Sequence, residues 1–188
     1  LLAGEVTPSG SLVDSYLYDN MANPAMYNFY TQAYPNAADY NLLTDGPDVQ
    51  GMYSVYQEGI YLDYRYYETR YEDFVTGNGN AGDYAYGDIV AYPFGYGMSY
   101  TTFEQTLDSV VITGDKRTAT VTVTTTNTGD VAGKAVVQLY ASAPYTDYDK
   151  QNNVEKSSIQ LLGYDKIDVA AGASETVTVD VPGYFLAS

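Results

Sequence analysis

The chain contains no cysteine and no histidine. Without cysteine it can form neither disulfide bonds nor thiolate metal sites, and a cysteine nucleophile is excluded. Without histidine it holds no Ser-His-Asp triad, no histidine-ligated zinc and no histidine general base. Any acid–base chemistry within these residues would therefore have to use aspartate, glutamate, tyrosine or lysine.

Basic residues and long apolar runs are also scarce. Eight Lys and Arg residues stand against 24 Asp and Glu residues, which gives a formal net charge of -16 at pH 7. Such a surface repels phosphate groups, so the charge argues against nucleic-acid binding and against binding to anionic membranes. No apolar run approaches the ~20 residues that a membrane-spanning helix needs, so we expect no membrane insertion by this segment. The first residues lack the basic and apolar regions of a signal peptide. Because the sequence opens without Met and stops soon after an apolar cluster, we expect a piece of a longer protein.

Tyrosine is abundant and unevenly placed. Of the 23 tyrosines, 18 precede Phe103. The run Ser54 to Glu68 predicts a strand, because its aromatic and β-branched residues favour extended backbone and its apolar positions alternate; a helical start over Met52 to Glu58 is the alternative. The apolar positions of that run are Ile60, Leu62, Tyr64 and Tyr66. Turn-forming residues separate the remaining short segments. They occur at 7–11, 23–24, 34–39, 44–48 and 76–88. This irregular spacing indicates the tail of a larger α/β domain that lies elsewhere.

Residues 104–188 have a different, regular pattern. Valines and other apolar residues alternate with threonines, and turn residues recur every 8–12 residues or so, as in an antiparallel β-sandwich. The predicted strands are 106–113, 118–129, 134–142, 157–169 and 175–181. We therefore expect a complete or nearly complete β-sandwich domain here.

Four stretches together resemble the C-terminal part of a glycoside hydrolase family 3 enzyme. They are "GEVTPSGSL" (4–12), "YQEGIYLDYRYYET" (56–69), "YPFGYGMSYTTFE" (92–104), and the strand-rich region from 123 to 181. The chain departs from the family's motifs at Thr7, where Asn is usual, at Ser11, where Arg is usual, and at Asp63, where Gly is usual. The ending "VPGYFLAS" is similar to a branch in which the sandwich precedes the catalytic barrel, which leaves the domain order open.

The resemblance implies a mainly β fold. Residues 104–188 would form a fibronectin type III-like, immunoglobulin-like antiparallel β-sandwich. Residues 1–103 would supply the C-terminal elements of an incomplete α/β-sandwich domain. The parent would be a β-glucosidase-type hydrolase that acts on β-linked glucosides or xylosides and retains configuration through two carboxyl groups.

The resemblance assigns no catalytic residue to this chain. Family members place an aspartate nucleophile on a (β/α)8 barrel and commonly a glutamate acid/base on the α/β-sandwich domain, and both motif segments are absent here. We therefore expect a scaffold or accessory piece that does not hydrolyse a glycoside alone and needs neither cofactor nor metal. Its expected partners are the barrel and α/β domain of the parent, β-linked oligosaccharide through that parent, and further copies of itself.

Four residues are candidates for substrate binding: Glu58, Tyr61, Tyr64 and Arg65. A carboxylate among tyrosines could act on a sugar, but Glu58 could equally pair with Arg65 or Arg70, or cap nearby backbone. The tyrosines of this region could stack on sugar rings, but they could equally be packed at a domain seam. These tyrosines are Tyr61, Tyr64, Tyr66, Tyr67 and Tyr71.

Two further segments carry structural predictions. The stretch 92–100 predicts a joint between the two halves, with Phe94, Tyr96 and Tyr100 filling their interface. The loop 145–155 carries the oxygen-bearing residues Asp147, Asp149, Gln151 and Glu155. A calcium loop needs glycine at the position that Asn152 occupies, so we expect instead an inter-strand loop that reaches another domain.

A non-catalytic carbohydrate-binding or adhesion module is the alternative function, since acidic sandwiches with aromatic patches also serve that purpose. In such a module the aromatic residues should form a platform on the sandwich. They are concentrated in the other half, which favours a buried seam. For either function, an extracellular or cell-surface position in a bacterium is favoured over the cytoplasm.

Overall fold

A computed structural model describes residues 1–30, 32–40 and 51–186. The turn predicted at 44–48 lies outside these residues. Within them, no helix is both long and apolar enough to cross a membrane. We call the residues before strand β5 (Phe103–Ile112) the front portion, and the strands from Phe103 onward form a sandwich.

The front portion consists of short elements. Strand β1 (Tyr16–Leu17) pairs with β4 (Val90–Tyr92), and β2 (Gln32–Ala33) pairs with β3 (Met52–Tyr53), in both cases antiparallel. Helix α1 covers Tyr64–Thr76 and helix α2 covers Tyr86–Ile89. Single turns of 3-10 helix cover Asn20–Ala22, Pro24–Asn28 and Ala37–Tyr40. Strands of two or three residues have little stability by themselves, so this portion depends on its tertiary contacts.

The strand predicted over 54–68 is wrong. Residues 54–63 form no strand, and the chain enters α1 at Tyr64. Tyrosine favours strands only weakly, and the burial of Tyr67, which is 2% exposed, outweighs that preference. The turn before α1 needs a positive φ, and Asp63 has φ 49°. Glycine adopts such a conformation without strain, which explains why related motifs carry Gly there. In this chain the Asp63 carboxylate accepts hydrogen bonds from the backbone N–H of Ser15 at 2.8 Å and from its hydroxyl at 3.0 Å.

The five strands predicted for the second half are confirmed. They form a three-stranded antiparallel sheet, β5-β6-β9, and a two-stranded antiparallel sheet, β7-β8. A short helix, α3, lies between β7 and β8. The bounds are β5 Phe103–Ile112, β6 Thr118–Asn127, β7 Gly133–Ala141, α3 Asp147–Asn152, β8 Gln160–Val169 and β9 Ser174–Pro182. One turn of 3-10 helix follows at Gly183–Leu186.

The sandwich core lies between the two sheets. Val123, Val137 and Val177 are buried there, and partly buried apolar side chains surround them. Strand β6 shows the pattern behind this core, because its inward residues alternate with threonines that hydrogen-bond across the outer face. Each buried valine contributes roughly 1.5–3 kcal/mol by removal of apolar surface from water.

Asn127, at the end of β6, is a fully buried polar residue. Its Nδ2 donates to the carbonyls of Val131 at 2.8 Å and Val169 at 3.1 Å, while its Oδ1 accepts from the Thr101 hydroxyl and the Gly129 N–H. This side chain therefore joins the segment before β5 to the loops that follow β6 and β8.

The stretch 92–100 packs mainly against the start of the chain, and Gly95 also lies against Gln138 of β7. Gly95 N–H donates to the Leu12 carbonyl at 2.8 Å, and Leu12 N–H donates to the Tyr96 carbonyl at 2.8 Å. A Cβ on Gly97 would lie 2.5 Å from the Gly10 carbonyl oxygen, so this approach needs glycine. Phe94 packs on Tyr64 with ring centroids 4.7 Å apart. Tyr96 and Tyr100 remain about half exposed, so the prediction that they fill the interface is wrong.

We expect Asn127→Ala to lower the free energy of unfolding by about 3 kcal/mol, because it leaves buried carbonyl, hydroxyl and amide partners without hydrogen bonds. Urea denaturation followed by far-UV circular dichroism measures the change. The neighbouring exposed substitution Thr128→Ala is the matched control and should cost less than about 0.5 kcal/mol. Equal effects of the two substitutions would contradict the role assigned to Asn127.

Candidate functional site

Two of the four sequence candidates line a cleft between the front portion and the sandwich. This junction cleft has two adjoining parts, of about 380 Å³ and about 260 Å³, which share Ala143, Lys156 and Ser157. Arg65 lines the larger part and Tyr61 lines the smaller part. Because the cleft has walls from both halves, it exists only while the halves stay packed together.

Tyr64 has a structural role instead. Its hydroxyl oxygen accepts a hydrogen bond from the backbone N–H of Leu161 in β8 at 2.9 Å. Its ring packs between Phe94 at 4.7 Å and the edge of Tyr140 at 5.9 Å. These contacts use both the face and the hydroxyl of Tyr64, so this residue connects α1 to the sandwich and is not available to a ligand.

Glu58 is half-buried and lies away from the arginines expected to pair with it. Its Oε2 atom is buried and has no hydrogen-bond partner among the described residues. The ion pairs found within the described ranges do not include Glu58, Arg65 or Arg70. Arg70 instead donates to the Ala81 carbonyl at 3.0 Å and lies over the Tyr84 ring. The expected pairing of Glu58 is therefore not found, and a buried carboxylate oxygen is left without a partner.

Tyr61 and the loop 145–155 join the cleft walls. The Tyr61 hydroxyl donates to the Lys156 carbonyl at 3.5 Å, and Lys150 Nζ donates to Asn78 Oδ1 at 3.4 Å. The prediction that this loop reaches the other half is thus confirmed. Burial, followed by the charge of Glu155, raises the pKa of Tyr61, so its hydroxyl stays protonated and acts as a donor.

Asp149 orders the loop 145–155. Thr146 and Asp149 form a capping box at the start of α3, and Asp149 pairs with Lys156 at 3.0 Å. Hydrogen bonding from the Thr146 N–H, then from Lys156, lowers the pKa of Asp149 to about 2. Over residues 1–30, 32–40 and 51–186, no group of three or more acidic side chains is placed to hold a metal ion.

Three carboxylates line the junction cleft. Glu72 and Asp73 line the smaller part, and burial, partly offset by Arg70, raises the pKa of Asp73. Glu155 lines the larger part. Retaining glycosidases need two carboxyl groups roughly 5–5.5 Å apart across the sugar bond, and Glu72 and Asp73 do not form such a pair, because successive residues on a helix do not face each other.

A larger apolar depression lies on the front portion, and the sequence analysis did not find it. We call it the tyrosine face. It has a volume of about 740 Å³, and its apolar lining residues are Leu1, Pro8, Leu12, Tyr16, Tyr92, Tyr96 and Met98. The pairing of β1 with β4 places Tyr16 opposite Tyr92, and Tyr92 stacks on Tyr96 with ring centroids 4.9 Å apart. Only this pairing of distant short strands brings the tyrosines together, so local sequence carries little signal for the face.

We expect acid to weaken the loop through Asp149. Since its pKa falls from 3.8 to about 2 on folding, the ionised carboxylate stabilises the fold above pH 3.8, and this contribution is lost as pH falls towards 2. The difference in thermal midpoint between the chain and Asp149→Asn should thus be full near neutral pH and shrink below pH 3.8. Asp147→Asn, at an exposed position on the same helix, is the control and should show no such pH dependence. A constant difference down to pH 2 would contradict the assignment.

Comparison with known proteins identifies the relatives of this chain. The fibronectin type III-like domain family matches residues 135–188. An exo-alpha-(1->6)-L-arabinopyranosidase of Bifidobacterium longum is 35% identical over 96% of this chain and 18% of its own length. A β-glucosidase of Kluyveromyces marxianus is 32% identical over 96% of this chain and 17% of its own length.

Solved structures give the same relationship. A β-glucosidase from Paenibacillus barengoltzii superposes with a TM-score of 0.72 at 30% identity, over 100% of this chain and 16% of that one. A family 3 β-glucosidase from Bifidobacterium adolescentis gives a TM-score of 0.68 at 29% identity, over 98% of this chain and 21% of that one. The chain spans less than a fifth of the length of the curated relatives named here. Over nearly its whole length the chain is therefore similar to part of glycoside hydrolase family 3 β-glucosidases, and residues 135–188 match the fibronectin type III-like domain family, as its motifs predicted.

Proposed function

We propose that this chain is a scaffold section of a β-glucosidase-type glycoside hydrolase whose catalytic carboxylates lie in polypeptide outside these residues. One observation carries the proposal: the similarity covers 96% of this chain but only 17–18% of the enzymes that it matches.

In this proposal each half of the chain has its own structural role. Residues 1–103 are the end of an α/β-sandwich domain, and residues 104–188 are the fibronectin type III-like domain that braces it. Gly95, which lies against Gln138 of β7, and Tyr64, which contacts Tyr140 and Leu161, pack the two halves together. A brace of this kind fixes the position of the neighbouring domain without taking part in the reaction.

The tyrosine face is the proposed contact with the rest of the enzyme. Its rings are large, about half exposed and gathered in one depression. Apolar surfaces of this extent on soluble proteins mark interaction sites. The exposed aromatic residues of the chain lie mainly in the front portion, which fits a seam better than a sugar-binding platform on the sandwich.

Glu58 Oε2, which has no hydrogen-bond partner within 1–30, 32–40 and 51–186, also supports a missing neighbour. A buried carboxylate oxygen without a hydrogen bond costs free energy, on the order of 1–3 kcal/mol or more for a charged group. A donor from the rest of the enzyme would remove this cost. Glu58 is thus assigned to the contact with the parent and not to the reaction.

The proposed substrates of the parent are β-linked glucosides or xylosides, hydrolysed with retention of configuration. The support is the name β-glucosidase, borne by the Kluyveromyces and Paenibacillus relatives. The Bifidobacterium longum relative is named for a different sugar. Since that protein matches this segment equally well, the choice of sugar must depend on residues elsewhere.

A carbohydrate-binding module is the second candidate function. The stacked pair Tyr92 and Tyr96 is the observation that favours it, because aromatic faces bind the C–H faces of sugar rings. Calorimetry with cello-oligosaccharides separates the two functions. Sub-millimolar binding by the 188-residue chain that Tyr92→Ser abolishes would assign the tyrosine face to sugar.

We expect the 188-residue chain to release no nitrophenol from a nitrophenyl β-glucoside or β-xyloside, because the proposed catalytic carboxylates lie in polypeptide outside these residues. The full-length protein that contains this segment should hydrolyse at least one of them with retention, which proton NMR of the first-formed sugar measures. Hydrolysis by the short chain, or inversion by the long one, would contradict the proposal.

We expect the isolated chain to self-associate through its tyrosine face. Light scattering should give a mass that rises with concentration, and Tyr92→Ser should lower that mass by removing apolar area. Tyr164→Ser is the matched control, since Tyr164 is an exposed tyrosine on the sandwich, and it should leave the mass unchanged. A strictly monomeric chain, or equal effects of both variants, would argue against a seam.

A further inference from the structure

The loop that follows helix α1 contains the only Asn-Gly pair in the sequence, Asn78-Gly79. In such a pair the backbone nitrogen of the glycine can attack Cγ of the asparagine, because glycine has no side chain that blocks the approach. The attack also needs a backbone that is free to change its dihedral angles. Gly77 ends α1 with φ 68°, and Asn78 and Gly79 lie outside the helices and strands, so the fold leaves this freedom.

The fold requires glycine at position 79. Gly79 has φ 60°, a conformation that glycine adopts without strain. A Cβ at this position would also lie 3.0 Å from Oδ2 of Asp73, so a larger residue would be crowded by that carboxylate. The Asn-Gly pair is therefore a consequence of the turn geometry, and a carboxylate lies directly against its glycine.

The carboxylate of Asp73 is placed to act as a base. When the nitrogen of Gly79 attacks a carbonyl carbon, it must lose its amide proton, and a nearby carboxylate can accept that proton. Burial, partly offset by Arg70, raises the pKa of Asp73, which makes this carboxylate a better proton acceptor than an ordinary exposed one. Asp73, Asn78 and Gly79 all line the smaller part of the junction cleft.

The side chain of Asn78 is held with its carbonyl oxygen towards a cation. Its Nδ2 donates to Thr76 Oγ1 at 2.9 Å, and its Oδ1 accepts from Lys150 Nζ at 3.4 Å. Attack on Cγ places negative charge on Oδ1, and the ammonium group of Lys150 stabilises that charge. Lys150 is itself exposed, and an ammonium group has no electron pair with which to attack. The backbone nitrogen of Gly79 is therefore the nucleophile.

We propose that Asn78 is a site of spontaneous deamidation, in which the Gly79 nitrogen closes a succinimide ring on Cγ and water then opens the ring to aspartate or isoaspartate. In the first step the bond from the Gly79 nitrogen to Cγ forms and the bond from Cγ to Nδ2 breaks. Asp73 takes the amide proton and returns it to the side-chain nitrogen, which leaves as ammonia. In the second step water adds to either ring carbonyl and breaks the bond of that carbonyl to the ring nitrogen.

The product changes the charge of the junction cleft. The new carboxylate replaces the amide of Asn78 beside Lys150, so the contact becomes a hydrogen bond between opposite charges, which is stronger than one to a neutral amide. The isoaspartate form also lengthens the backbone by one methylene group. Deamidation therefore alters, with time, a contact that connects the end of α1 to the loop 145–155.

Peptide mass spectrometry of the 188-residue chain, kept at mildly alkaline pH, measures the conversion of amide to acid and assigns it to one residue. Asn80 is the internal control, because it lies in the same loop and precedes Ala81. Asn78 should convert at least about tenfold faster than Asn80, a factor that corresponds to a barrier lower by about 1.4 kcal/mol. Both aspartate and isoaspartate should form, since water opens the ring at either carbonyl.

A matched pair of variants tests the role of the neighbouring carboxylate. Asp73→Ser should slow the conversion of Asn78, whereas Asp83→Ser, at an exposed acid in the following segment, should leave the rate unchanged. In urea that unfolds the chain, Asp73→Ser should have no effect, because the carboxylate is then no longer held beside Gly79. The comparison of Asn78 with Asn80 needs no variant, so it remains valid if a substitution disturbs folding.

Several outcomes would overturn the proposal. They are equal rates at Asn78 and Asn80, an unchanged rate in folded Asp73→Ser, and formation of aspartate without isoaspartate, which would indicate direct hydrolysis by water. A linked peptide that joins Lys150 to Asn78 would show attack by the lysine and would exclude Gly79 as the nucleophile. The measurement follows mass and not glycoside hydrolysis, so its outcome is independent of the proposed function.

Discussion

The packing of Tyr64 holds the described structure together. This residue begins α1, contacts Phe94 of the joint and Tyr140 of β7, and accepts a hydrogen bond from Leu161 of β8. One side chain thus links the helix, the joint and the sandwich. Burial of the aromatic rings stabilises this packing, and the hydrogen bond to the Tyr64 hydroxyl fixes the position of the side chain. The junction cleft follows from this packing, because its walls come from the two halves that Tyr64 connects.

Two buried polar side chains are well satisfied by hydrogen bonds. Asn127 and Asp149 make several each, and the centre of the sandwich is a cluster of valines. By contrast, the tyrosine face is open, and Glu58 Oε2 has no hydrogen-bond partner among the described residues. These two features differ in chemistry, and both fit the proposed cause, which is polypeptide of a larger enzyme that would cover them. This common cause supports the scaffold function over a free-standing binding module.

The sandwich strands could be predicted from sequence because alternation of valine and threonine reports directly which residues face the core. The joint could be predicted because Gly95 and Gly97 allow backbone geometries that a side chain would forbid. The helix α1 could not, since tyrosines favour strands and only the burial of Tyr67 and the turn at Asp63 decide for the helix. Of the four candidate site residues, Tyr61 and Arg65 reach the cleft, whereas Tyr64 is structural and Glu58 lies apart. The tyrosine face depends on the pairing of β1 with β4, which lie more than seventy residues apart, and no local pattern reveals such a contact.

The central claim is that the front portion is a surface shaped to be covered by the rest of a glycosidase. Hydroxyl-radical footprinting of individual tyrosines, in the 188-residue chain and in the full-length protein, measures this most directly. The account predicts that Tyr16, Tyr92 and Tyr96 lose most of their reactivity in the full-length protein while Tyr164 keeps its own. Unchanged reactivity of the three tyrosines in an active full-length enzyme would contradict it.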